Sequence, residues 1–212
     1  MSDRAVNLVT KEFEPQVIES ENPPALIEIS EADGIFYNDK FSKDRRLRQA
    51  IYDKILAAKE HLPSDLYFMI YEAYRPRARQ FELWEMICKQ MSTEHPEASD
   101  EELTALCSNF VSNPYGVGSG HQFGCAIDIT LCDENRVELD MGTEMQEFCE
   151  RTETAFAGIT EQQKQNRQLL CSVLEKEGLI NYPSEWWHFS YGDRLWAQIT
   201  GQSQTVYGVL PF

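Results

Sequence analysis

The sequence predicts an α+β fold: a small antiparallel sheet with helices packed on one face and a functional site on the other. Three observations predict it. Periodic segments run helix, strand, helix, helix, strand, helix, strand, so strands are few. The connections between them are unequal, unlike regular βαβ units. The clearest strand, Cys125–Leu131, alternates Ala126, Asp128 and Thr130 with Cys125, Ile127, Ile129 and Leu131, which leaves one aliphatic face to bury and one face open.

Residues 1–24 read as a lead-in arm ending in Asn22-Pro23-Pro24, and the rest as one domain, 1–212 in all. Ala25–Ile29 is a short strand candidate. Asp44–Leu62 carries Leu47, Ile51, Ile55 and Leu56 at helical spacing, and Leu66–Ala73 reads as a buried strand. Pro76 suits a helix start, because its missing N–H has no intrahelical partner there; the helix runs to about Met91, with Phe81, Trp84, Ile87 and Cys88 on one side. Ser99 with Glu102 three residues on marks a second helix, ending near Phe110. Residues 111–124 are a glycine-rich loop and 133–159 are irregular. Thr160 starts a helix that stops at Gly178, and Trp186–Tyr191 reads as the last strand.

A net charge of −16 argues against nucleic acid or an anionic membrane as partner, since both repel an acidic surface. The N-terminus lacks the apolar stretch of a signal peptide, and the longest apolar run, residues 67–71, is far too short to cross a bilayer, so a cytoplasmic location is expected. Six cysteines at scattered spacing form no Cys-x-x-Cys pair and read as buried thiols.

The chemistry lies in two blocks, residues 119–128 and Glu185-Trp186-Trp187-His188. His121, His188 and Asp128 supply two imidazoles and one carboxylate, the donor set of a catalytic zinc with one position open to water, one ion per chain. Such an ion lowers the pKa of coordinated water to roughly 7. Glu185 is then the base that takes the water's proton and passes it to the leaving amine. Strand parity turns Cys125 away from Asp128 and puts His188 with Trp186 and Ser190. If the two strands are neighbours, Asp128 and His188 point into one site, and His121 folds back from its loop. On a regular strand residues 185 and 188 face opposite ways, so Glu185 must lie in the turn after Pro183-Ser184. Arg75, at a strand-to-helix junction, is a candidate cation for a developing oxyanion, although spacing alone favours a structural role. His61 and His95 read as ordinary histidines. The glycines of residues 116–120 lack the Gly-Lys-Ser/Thr ending of a phosphate loop.

The pattern Ser119-x-His121-x-x-Gly124-x-Ala126-x-Asp128 followed by Glu185-Trp186-Trp187-His188 resembles the zinc D-alanyl-D-alanine dipeptidases of the VanX type. Tyr74-Arg75-Pro76, Met141-Gly142-Thr143 and Asn166-Arg167 with Leu169-Leu170 extend the likeness over residues 66–196, with Glu72 where the family often has Asp. The resemblance implies one zinc held by His121, Asp128 and His188, with Glu185 as base, Arg75 on the oxyanion and Ser119 against the substrate carboxylate. Tyr37 is the candidate for a substrate-contacting tyrosine. The family usually holds the dipeptide's ammonium with an Asp; Gln146 falls at that position here, and Glu147 or Glu144 is the expected substitute. The implied partner is a small D-configured dipeptide. The alternatives are a D,D- or L,D-carboxypeptidase acting on longer wall peptides and a zinc-stabilised binding module without catalysis.

Overall fold

The structure, a computed structural model, describes residues 15–19, 25–116, 118–147 and 149–210. Most of the expected lead-in arm, 1–14 and 20–24, lies outside the described residues. Of the rest, Gln16 bridges to Gln204 and ties this stretch to the last segment of the chain.

A five-stranded sheet carries the molecule, in the order β2 (Ile35–Tyr37), β4 (Tyr67–Glu72), β5 (Ala126–Cys132), β7 (His188–Ser190), β6 (Ile180–Asn181). Three of its four pairings are antiparallel, and β2–β4 is parallel. The parallel pair follows from the crossover between those strands, which contains helix α1 (Gln49–Lys59). A separate ribbon pairs β1 (Leu26–Glu28) with β3 (Arg46–Arg48). The stretch expected to be helical from Asp44 therefore begins as a strand: Leu47 is fully buried opposite Ile27, and the helix starts only at Gln49.

Ile127, Ile129 and Leu131 project from β5 into the main core, with Ile51 and Ile55 of α1 and Leu170, Val173 and Leu174 of α4 (Glu161–Lys176). Both helices are held by ordinary sequence devices. Thr160 and Gln163 form a capping box at the start of α4, and Gly178 takes φ +81 just past its end. Helices α2 (Arg77–Glu94) and α3 (Asp100–Ser108) pack on each other around a second, smaller cluster of Trp84, Ile87, Met91, Cys107 and Val111. A short helix, α5 (Arg194–Thr200), follows the last strand, capped by the Asp193 carboxylate on the Trp196 N–H. All six cysteines are free thiols. No helix among the described residues is long and apolar enough to cross a membrane.

One irregularity in the sheet aims a functional side chain. Ile70 faces Ile129 on β5, but Glu72 faces Asp128, so two steps on β4 match one on β5. Without that bulge at Tyr71, Glu72 would share the core-facing parity of Phe68 and Ile70. The extra residue turns its carboxylate toward Asp128 instead.

Candidate metal and catalytic site

Asp128 and His188 are direct partners in the β5–β7 register, so their side chains leave the sheet side by side on the face away from α1 and α4. His121 comes from a 3-10 turn, Gly120–Phe123, that precedes β5. Ser119 and Gln122 cap the turn reciprocally, and Gly124 at φ +68 ends it and feeds the chain into the strand. Gly120 allows the turn to lie close to the sheet, because a Cβ there would sit 2.2 Å from Asp193 Oδ2 and 2.8 Å from Ala126 Cβ.

These elements bring the three expected donors together. His121 Nε2 lies 3.3 Å and His188 Nδ1 3.1 Å from Asp128 Oδ1, and one ligand atom from each residue falls within 4.8 Å of the others. His121 Nδ1 lies 2.8 Å from the Ala73 carbonyl oxygen. A carbonyl only accepts, so that nitrogen carries a proton, and Nε2 is the nitrogen directed at the centre. This is the outer bond that orients a metal-binding imidazole. The donor chemistry fits a zinc-type ion: neutral nitrogens and one carboxylate, converging from three segments. Burial works to raise the Asp128 pKa, but the two imidazoles outweigh it and hold the carboxyl well below its usual range.

Glu185 reaches the same cavity through two successive turns. Its N–H donates to Tyr182 O (2.9 Å), and its carbonyl accepts from the His188 N–H (3.2 Å). The expected strand from Trp186 is thus a turn until His188, and residues 185 and 188 no longer alternate across a sheet. Trp186 and Trp187 are buried beneath it, the first with its indole N–H on Thr143 Oγ1. Burial pushes the Glu185 carboxyl up to about 7; His188 opposes the shift and Asp128 adds to it.

Arg75 is 9% exposed and held by a two-pronged pair with Glu72, Nε to Oε1 at 2.8 Å and Nη2 to Oε2 at 2.5 Å. Its Nη1 donates to Gln80 Oε1 (3.0 Å). Burial works to raise the Glu72 pKa, but the Arg75 guanidinium overrides it and keeps the carboxylate ionised. Ser119 Oγ meets the same Gln80 oxygen at 3.3 Å, and Gln80 Nε2 donates to Ser112 O (2.6 Å). Gln80 was not singled out from the sequence. The available signal was a polar residue in phase with the buried positions 84, 87 and 91 of α2.

His121, Asp128, His188, Glu185, Arg75 and Ser119 all line one cavity of about 540 Å³. Tyr37 and Glu147 do not. Tyr37 shares the core-facing parity of Ile35 on β2, is 4% exposed, and donates its hydroxyl to Asp44 O at 2.9 Å; Lys40 and Phe41 from the same stretch reach the rim instead. Glu147 is turned outward because Gln146 takes φ +60, which directs the glutamine inward and the next side chain to solvent. Gln146 Nε2 lies 3.4 Å from Asp128 Oδ2, whereas Glu147 accepts the Glu144 N–H. Glu144 is exposed and pairs with Lys40 at 3.4 Å.

Comparison with known proteins gives the chain's family. The family model described as D-ala-D-ala dipeptidase matches residues 39–205. A D-alanyl-D-alanine dipeptidase of Escherichia coli K12 is 33% identical over 126 residues, 59% of this chain and 55% of that one. One from Synechocystis is 38% identical over 88 residues, 36% of each chain, and one from Enterococcus faecium is 30% identical over 146 residues, 66% of this chain and 70% of that one. The chain thus spans only about a third to a half of the first two relatives. Among solved structures, VanYB in complex with D-alanine-D-alanine aligns with a TM-score of 0.49 at 16% identity, over 87% of this chain and 92% of that one. With more than half of its length matched by the family model and its chemistry-bearing residues gathered in one cavity, the chain belongs to the D-ala-D-ala dipeptidase family.

Proposed function

We propose that this protein is a zinc-dependent hydrolase of D-alanyl-D-alanine or similar D-configured dipeptides. The observation that carries the reading is the convergence of His121, Asp128 and His188 with the Glu185 carboxylate in the same cavity. Family membership supports it, as do the relatives named D-alanyl-D-alanine dipeptidase.

In this reading His121 Nε2, His188 Nδ1 and an Asp128 oxygen hold the ion. Zinc bound there supplies Lewis acidity to the site. Glu185 accepts a proton from the attacking water and delivers it to the amine as the C–N bond breaks, so no charge is left on the leaving group. Partial desolvation keeps this carboxyl basic enough for that transfer. Arg75 has five N–H donors, of which Glu72 and Gln80 take three; the other two are free to stabilise negative charge on the carbonyl oxygen. Ser119 lines the cavity where the substrate carboxylate is expected.

A second reading, a carboxypeptidase on longer peptides, is favoured by one observation. Gln146, a neutral side chain, faces the cavity in place of a carboxylate that would hold a free ammonium. A panel of D-Ala-D-Ala, L-Ala-L-Ala and N-acetyl-D-Ala-D-Ala, assayed with zinc-loaded protein and with Glu185→Gln, tests both. The first reading expects turnover of D-Ala-D-Ala alone, lowered by about 10²- to 10⁴-fold in Glu185→Gln with zinc content unchanged. Faster turnover of the acylated compound selects the second reading, and a fully active Glu185→Gln removes that residue from the chemistry.

A further inference from the structure

The cavity is longer than the substrate just proposed. One wall follows a single stripe of α2, from Arg79 through Leu83 to Ile87. Eight residue steps along a helix cover about 12 Å, whereas an extended dipeptide spans about 7 Å end to end. Two alanyl methyl groups do not fill such a space.

The extra length has a definite character. Leu83, Met86 and Ile87 face it from α2, Val111 from the segment after α3, and Leu195 from α5, with Ser108, Asn109, Ser112 and Asn113 beside Val111. A continuing peptide backbone would need hydrogen-bond partners along this stretch. Neither edge strand, Ile35–Tyr37 nor Ile180–Asn181, contributes a lining residue there. The apolar part of the lining, Leu83, Ile87 and Val111, suits a side chain, which needs only apolar contact.

The geometry also indicates which end of the substrate it serves. Gln80 bonds Ser119 on one side and the Ser112 carbonyl, next to Val111, on the other. The apolar stretch therefore adjoins the wall of the cavity that carries Ser119. Lys40, which also lines the cavity, is paired instead with Glu144, close to Gln146 in the chain.

Resting on the functional reading above, in which Ser119 meets the substrate carboxylate, we infer that the preferred substrate carries a bulky apolar D-residue, such as D-Leu or D-Phe, at its carboxyl end. Leu83, Ile87 and Val111 set that preference. Each methylene matched to an apolar pocket is worth about 10-fold or more in kcat/KM. D-Ala-D-Leu and D-Ala-D-Phe are therefore favoured over D-Ala-D-Ala by at least that factor.

The test is kcat/KM for these three dipeptides with the zinc-loaded full chain, and the same ratios with Leu83→Gln. Binding of the three to Glu185→Gln is measured in parallel by calorimetry. The expected result is a preference of about 10-fold or more for a bulky carboxyl-terminal residue, expressed mainly in KM and in the binding constant, with the ratio falling toward one in Leu83→Gln. Equal or better use of D-Ala-D-Ala overturns the inference. If no dipeptide is hydrolysed, the functional reading fails by itself; the binding series then decides the preference, which stands if the bulky ligands bind tighter and falls if they do not.

Discussion

The two walls of the cavity are built in different ways. The sheet wall sets its donors by hydrogen-bonded register: Asp128 opposite His188, and Glu72 brought opposite Asp128 by a bulge. The helical wall, α2 and α3, is held by a small cluster of its own, with Trp84, Ile87, Met91, Cys107 and Val111 at its centre. A one-residue change of register on the sheet side would scatter the donors, whereas on the helical side, Gln80 apart, a change of side chain alters the shape of the space. On the two proposals above, the sheet wall carries the chemistry and the helical wall the selectivity.

The largest effect that can break this contrast is loss of the ion. Chelation, or Asp128→Ala, is expected to abolish hydrolysis, and readdition of zinc restores only the chelated wild type. Metal analysis and rate together check it. Activity in the Asp128→Ala variant at low zinc would remove the sheet wall from the chemistry.

This wall was also the most legible part of the sequence. His121, Asp128, Glu185 and His188 stand at short fixed spacings, and strand parity alone predicts that Asp128 and Ile129 face opposite ways. Adjacency of their strands was only a condition in the sequence, since pairing between residues 60 positions apart leaves no local trace. The bulge at Tyr71 was invisible for the same reason. Residues 46–48 were misread because Leu47 is in helical phase with Ile51, while their partners, Leu26–Glu28, lie about twenty positions upstream. Glu147 lies outside the cavity lining and Gln146 within it, at a residue in the left-handed region that no local pattern announces. β6 has two residues and α5 seven, too few for a periodic pattern to register.

The next effect separates chemistry from stability within the sheet wall. Arg75→Met leaves the Glu72 carboxylate, 2% exposed, without its partner. Breaking a buried pair from one side costs about 3–5 kcal/mol of stability, and loss of an oxyanion donor costs about 10²- to 10³-fold in kcat. Adding Glu72→Gln to Arg75→Met removes the stranded charge. The double variant is expected to regain most of the stability and none of the rate, as read by denaturant unfolding and kcat. Recovery of both would make Arg75 purely structural.

The smallest effect sharpens the comparison itself. Ile129→Ala opens the main core and Met91→Ala the small α2–α3 cluster, each by the loss of a large buried side chain, worth about 2–5 kcal/mol in a well-packed site. Ile129 is fully buried in β5 between the helices and the metal face, so its loss lowers the stability of the whole fold and raises amide exchange throughout. Among the described residues, Met91 belongs to the small cluster, near the end of α2. Its loss is expected to fall at the low end of that range and to speed exchange in α2 and α3 while the amides of β5 keep their protection, with zinc content unchanged. Uniform loss of protection in Met91→Ala would mean that the two walls unfold as one unit, and that selectivity cannot be retuned on the helical side without disturbing the register that holds the ion.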